Sequence, residues 1–171
     1  MAGSSVCGIN TGDQISVKNL LYGLMLVSGN DAANALAEYY SGSVEEFARV
    51  MNEEALALGA TNSHFVNANG LPDDEHYTTV YDMYLIFQEA VKSQAFVDII
   101  KTKSIDVTYQ DANGNDVNKT WNNTNHYLTG ETEAPEGITV IGGKTGTTNA
   151  AGYCLVLYSN NKKGEDIISI V

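Results

Sequence analysis

Two short groups of polar residues, far apart in the chain, have residue types that could do chemistry. The first is Ser28-Gly29-Asn30, which interrupts an apolar helical pattern with a hydroxyl and an amide. The second is Lys144-Thr145-Gly146, a lysine between glycines at the end of a strand-like run. Polar groups between apolar segments cost free energy unless they are hydrogen-bonded, and bare glycine backbone allows a substrate to approach closely.

Each group also has a simpler interpretation. Ser28-x-Asn30 could be a helix N-cap that joins two core helices, which is a common use of serine and asparagine. Gly143-Lys144-Thr145 could end a phosphate-binding loop, but that motif requires a glycine where Ile138 stands. Gly137 is one residue out of register, and a strand follows where a helix is needed. The phosphate-loop interpretation is therefore excluded.

Ser-x-Asn followed by Lys-Thr-Gly is the second and third of three motifs shared by penicillin-binding proteins and serine β-lactamases. The chain as a whole resembles the low-molecular-weight D-alanyl-D-alanine carboxypeptidases, which are serine peptidases of the bacterial cell wall. The resemblance implies an α+β fold of the β-lactamase/transpeptidase type, with a helical region packed beside an antiparallel sheet. It also implies an extracytoplasmic location. The segments that carry it are Leu20–Ala33, Met51-Asn52, Leu58–Phe65, Gly70-Leu71, Tyr81–Met83 and Gly143–Gly146.

The resemblance assigns catalytic roles to three residues. Ser28 would relay protons, and Asn30 would hold the amide of the substrate. Lys144 would hold Ser28 and polarise the site.

It also predicts the ligands. The substrate would be a peptidoglycan stem peptide that loses its terminal D-alanine, and β-lactams would acylate the complete enzyme. Thr145 would bind the terminal carboxylate, and the backbone N–H of Thr147 would supply one oxyanion donor beside Gly146. This chemistry needs no metal or other cofactor, and the three histidines do not form a His-Glu-x-x-His pattern.

The first motif of the family, Ser-x-x-Lys, is not found where it is expected. It supplies the nucleophile and its base one helix turn apart, and it precedes the other two motifs. The sequence contains one Ser-x-x-Lys, Ser159–Lys162, which follows Lys144 and lies in a predicted polar turn. We interpret it as a chance match. We expect an incomplete, inactive chain without the nucleophile segment or the last strand and helix of the family; the alternative is a non-catalytic module that binds cell wall or a protein partner.

Periodicity and capping residues predict helices in the first part of the chain. Ser16 would cap a helix from about Val17 to Val27 that is buried on more than one face. The other predicted helices are Asp31 to about Tyr40, one from the capping box at Ser43 to Gly59, one after Thr79, and one from about Gln94 to Ile100.

Alternating patterns predict strands in the second part. Ile105–Tyr109 and Val117–Trp121 would form a hairpin around Asp111–Asp116, whose glycine position does not fit a calcium loop. The polar segment Asn122–Leu128 resembles one that lies near the active cleft in the family. The last predicted strands are Ile138–Thr145, Tyr153–Tyr158 and Ile167–Val171. We expect one partial catalytic domain over 1–171, with a helical part over about 15–101 and a sheet part over about 103–171.

Composition limits the partners. The 171 residues are 43% hydrophobic with two prolines, which predicts a folded domain, and a net charge of −12 argues against nucleic acid. We recognise no apolar run of membrane-spanning length and no signal peptide. We expect no Cys7–Cys154 disulfide and a buried Cys154. Uncovered apolar surface, with an unpaired strand edge near Val171, predicts a dimer or higher oligomer.

Overall fold

Helices occupy the first part of the chain and strands the second in the computed structural model, which describes residues 4–171. The fold is α+β, as predicted from the sequence. The helices are α1 (Val17–Val27), α2 (Asn30–Ser41), α3 (Val44–Ala57), α4 (Val80–Ala90), α5 (Gln94–Ile100) and the short α6 (His126–Thr129). The strands are β1 (Ser104–Gln110), β2 (Asp116–Asn122), β3 (Ile138–Thr148), β4 (Gly152–Asn161) and β5 (Asp166–Ile170).

Side-chain caps begin the helices where the sequence predicts them. A serine or threonine hydroxyl accepts a backbone N–H three residues later at the start of α1, α3 and α4, which satisfies a donor that the helix leaves free. The capping residues are Ser16, Ser43 and Thr79.

The strands form two separate antiparallel sheets. β1 pairs with β2 as the predicted hairpin, and β3, β4 and β5 form a sheet in that order. β3 is therefore an edge strand of this sheet. β4 is longer than predicted and includes Ser159, because the Asn161 side chain accepts the N–H groups of Lys163 and Glu165 and confines the turn to the residues after it.

The main core cluster joins α1 and α2 to the β1–β2 hairpin. Leu24 and Val27 of α1 pack against it but are only partly buried, as are Leu21 and Met25. The prediction that α1 is buried on several faces is therefore only partly correct, because α2, α5 and the hairpin cover part of its circumference. The buried residues of the cluster are Cys7, Leu20, Ala32, Val107 and Trp121.

Both cysteines are free thiols, which confirms the prediction that they are not bridged. Cys7 is buried, but Cys154 is exposed, so the predicted burial of Cys154 is wrong. Its cross-strand partner is Gly146, which has no side chain to cover the thiol. No helix within residues 4–171 has both the length and the apolar character that a bilayer crossing needs.

Candidate active site

Ser28 lies in the break between the first two helices, in a strained conformation. It ends α1 with left-handed backbone angles (φ 56°, ψ 42°) and is the one non-glycine residue of the described chain with a positive φ. Such a conformation costs a side-chain-bearing residue about 1–2 kcal/mol and persists only where the surroundings enforce it. Gly29, not Ser28, occupies the N-cap position of α2 and makes no side-chain cap bond. The N-cap interpretation of Ser28 is therefore wrong.

Lys144 crosses from the edge strand to this helix break. Its Nζ donates a hydrogen bond to Ser28 Oγ and another, of 2.6 Å, to the carbonyl oxygen of Thr145. The contact with Ser28 is the one that the sequence predicts. Within residues 4–171, Lys144 has no carboxylate partner in an ion pair. Its charge is therefore available to an anionic ligand. Burial lowers the pKa of Lys144 to about 8, because the charged ammonium group is less stable in the fold than in water.

Two glycines allow β3 to approach its neighbours closely. A Cβ on Gly142 would lie 2.7 Å from both Cγ1 and the carbonyl oxygen of Ile100 in α5. A Cβ on Gly143 would lie 2.1 Å from the carbonyl oxygen of Val156 in β4. The sequence predicted that these glycines allow a substrate to approach the backbone, but in the structure they allow protein groups to do so. Gly146 is exposed, and a Cβ built on it would have its nearest neighbouring atom 3.9 Å away. The open backbone of β3 therefore lies at Gly146.

The other predicted site residues follow Ser28 and Lys144 closely in the chain. Asn30 is buried, its N–H donates to the Ser5 carbonyl at 3.0 Å, and its side chain makes no hydrogen bond to any residue of the described chain. Thr145 follows Lys144, and Thr147 is exposed farther along β3.

The polar segment after β2 contributes a residue that sequence reasoning did not single out. The Thr124 and Thr145 hydroxyls are 2.6 Å apart, and the Thr124 N–H donates to the Leu26 carbonyl near the end of α1. Asn123 and Asn125 are buried. The Asn123 side chain makes hydrogen bonds to backbone groups of nearby residues, and the Asn125 side chain caps α6. The asparagines thus hold the segment, and Thr124 lies at the site. The polarity of the segment was the available signal, but it could not distinguish these roles.

The chance Ser-x-x-Lys match has no catalytic geometry. Ser159 is buried in β4, not in a turn as predicted, and Lys162 is exposed and pairs with Glu136 at 3.0 Å. The residues described by the structure also contain no group of three or more histidine, cysteine or acidic side chains that could hold a metal ion.

Comparison with known proteins identifies the family of the chain. The sequence profile described as D-alanyl-D-alanine carboxypeptidase matches residues 1–171. The chain belongs to this family. It is 36% identical over 166 residues to the D-alanyl-D-alanine carboxypeptidase DacF of Bacillus subtilis, covering 96% of this chain and 39% of the relative. It is 36% identical over 167 residues to the D-alanyl-D-alanine carboxypeptidase of Streptomyces sp. strain K15, covering 94% and 55%.

A solved structure gives the same result for the fold. The Streptomyces K15 DD-transpeptidase superposes with a TM-score of 0.88 at 35% identity, covering 98% of this chain and 64% of that one. The predicted architecture, a helical region beside an antiparallel sheet of the transpeptidase type, is therefore confirmed. The chain spans only part of the length of each of these relatives.

Proposed function

We propose that the chain is part of an extracytoplasmic serine-type D,D-carboxypeptidase domain that removes the terminal D-alanine of peptidoglycan stem peptides through an acyl-enzyme. β-Lactams would acylate the complete enzyme. Residues 1–171 would form one part of a single catalytic domain. The observation that carries the proposal is the hydrogen bond from Lys144 to Ser28, which joins two family motifs from distant parts of the chain.

The proposed roles follow from the charge and position of each group. A protonated Lys144 attracts the terminal carboxylate of the substrate, and the neighbouring hydroxyl of Thr145 donates a hydrogen bond to it. Ser28 relays a proton toward the leaving D-alanine, with Lys144 as its partner. Asn30 holds the substrate amide, and the Thr147 N–H is one donor to the oxyanion next to the open backbone of Gly146.

These groups bind and polarise, but none of them becomes acylated in this mechanism. We therefore expect the 171-residue polypeptide to bind the substrate without cleaving it. Loss of a nucleophile reduces kcat by about 10⁶ in a well-studied serine protease, and the remaining groups do not replace the covalent intermediate.

Binding can be tested without turnover. Amide chemical shifts would be followed by NMR while the chain is titrated with an acylated peptide that ends in D-Ala-D-Ala, and with the matching peptide that ends in L-Ala-L-Ala. We expect shifts at Ser28, Asn30 and Thr147 with the first peptide only. Lys144→Gln should weaken binding about 10- to 100-fold through the lost charge-assisted hydrogen bond, whereas Lys162→Gln should not. Equal shifts with both peptides, or unchanged binding in Lys144→Gln, would contradict the proposal.

The second candidate is a non-catalytic module that uses the same fold to bind cell wall or a protein. It is favoured by one observation, that no Ser-x-x-Lys precedes Ser28 within the 171 residues. The reading frame upstream of Met1 separates the two candidates. A Ser-x-x-Lys encoded there, and labelling of that serine by a fluorescent penicillin, would support the enzyme; a complete protein that does not label would support the module.

A further inference from the structure

An N-terminal strap crosses the helix break that carries Ser28. The strap is the segment from Ser5 to Ile9, which has no regular secondary structure. One carboxylate holds three of its backbone N–H groups. Oδ1 of Asp31 accepts from Cys7 at 2.8 Å, and Oδ2 accepts from Gly8 at 2.8 Å and from Ile9 at 3.0 Å.

Further bonds tie the strap to both sides of the break. The Ser5 carbonyl accepts the N–H of Asn30 at 3.0 Å. From the β1–β2 hairpin, Lys119 Nζ donates to the carbonyls of Cys7 and Gly8, each at 3.3 Å. The strap therefore connects the start of α2, where the proposed site residue Asn30 lies, to the hairpin.

Cys7 packs the strap directly against the turn around Ser28. A Cβ on Gly29 would lie 2.1 Å from Cys7 Sγ, and one on Gly23 would lie 2.4 Å from it. The Gly29 N–H donates to the Gly23 carbonyl at 3.1 Å, so the sulfur sits against both ends of the bond that closes the turn. Movement of the strap would therefore remove support from the left-handed conformation of Ser28.

Asp31 can hold the strap as a carboxylate at neutral pH. Burial alone would raise the pKa of Asp31, but the N–H groups of Cys7, Ile9, Gly8 and Ala32 together outweigh burial and lower it. A carboxylate that accepts several backbone N–H bonds is a strong anchor because each bond is charge-assisted.

We propose that Asp31 is a positioning residue that, through the strap, keeps Ser28 in its left-handed conformation and within reach of Lys144. Its relevance to catalysis rests on the proposed function. The structural coupling does not, and it can be measured in the 171-residue chain without substrate.

The test replaces Asp31 with asparagine and measures the pKa of Lys144 by NMR of isotopically labelled lysine. Asparagine keeps the shape but loses the charge and one acceptor, so the strap and Ser28 should shift and admit water to the ammonium group. We expect the pKa of Lys144 to rise from about 8 toward 10.5. The direction is diagnostic, since simple removal of a nearby negative charge would lower the pKa of a lysine.

The matched control is Asp111→Asn. The Asp111 carboxylate also accepts two backbone N–H groups, from Asn113 and Asn115, but it lies in the hairpin turn. We expect this variant to leave the pKa of Lys144 unchanged. An unchanged or lowered pKa in Asp31→Asn would overturn the proposal.

A measurement on the unmodified chain decides the question if Asp31→Asn does not fold. The backbone amides of Cys7, Gly8 and Ile9 should exchange hydrogen with the same protection as those of Gly29 and Asn30, and should respond to urea together. Strap amides that exchange freely while Gly29 and Asn30 remain protected would refute the coupling. Neither result depends on peptide binding. Failure of the proposed function would therefore leave the coupling between Asp31 and Ser28 intact, and failure of the coupling would leave the proposed function intact.

Discussion

Replacing Lys144 with methionine should stabilise the folded chain at neutral pH, although it removes two hydrogen bonds. Burial lowers the pKa of Lys144 to about 8, against 10.5 for a solvated lysine. The charged lysine therefore lowers the free energy of unfolding by about 1.4 kcal/mol for each unit of difference between the two pKa values, or about 3 kcal/mol at pH 7. The lost bonds to Ser28 and Thr145 offset this by about 1 kcal/mol each. The expected net gain at pH 7 is about 1 kcal/mol.

The sign of the effect should reverse as the pH rises. Between pH 8 and 10.5 the unfolded chain keeps a proton that the folded chain has released, so the original protein gains stability with pH in this window. The cost of the charge falls to about 2 kcal/mol at pH 9 and about 1 kcal/mol at pH 10. Methionine does not titrate, so the variant should become less stable than the original protein by about 1 kcal/mol at pH 10.

Urea unfolding at pH 7, 9 and 10 can be followed by the fluorescence of Trp121, which is buried and is the one tryptophan in the sequence. Lys162→Met is the control for the loss of a lysine from the surface, since Lys162 is exposed. If the difference between Lys144→Met and the original chain stays constant from pH 7 to 10, the argument from burial is refuted.

Other predictions test packing, reactivity and assembly. Gly142→Ala should lower the free energy of unfolding by about 1–3 kcal/mol, because the new Cβ would overlap Ile100. Gly146→Ala should be nearly neutral in the same urea experiment, because its Cβ would lie 3.9 Å from the nearest atom. Intact mass after incubation of the 171-residue chain with a penicillin should show no adduct, and an adduct on Ser28 or Ser159 would contradict the proposed roles. The predicted dimer or higher oligomer can be measured by light scattering, and a monomer at all concentrations would count against it.

Much of the secondary structure could be predicted because its signals are local. The caps at Ser16, Ser43 and Thr79 depend on a hydroxyl and an N–H three residues apart, and the hairpin depends on alternation around Asp111–Asp116. Errors arose where a neighbour distant in the chain decides burial. Cys154 was expected inside because it alternates with apolar residues, but its partner Gly146 leaves it exposed.

The sequence by itself determined the family motifs, the α+β class and the residues of the proposed site, because these depend on residue type and short-range order. Tertiary structure decided what each residue contacts. Only folding brings Lys144 to Ser28, Thr124 to Thr145, and the Asp31 carboxylate to the N-terminal strap. The lowered pKa of Lys144 has the same origin, since water is excluded by elements from several parts of the chain and no local pattern encodes that exclusion.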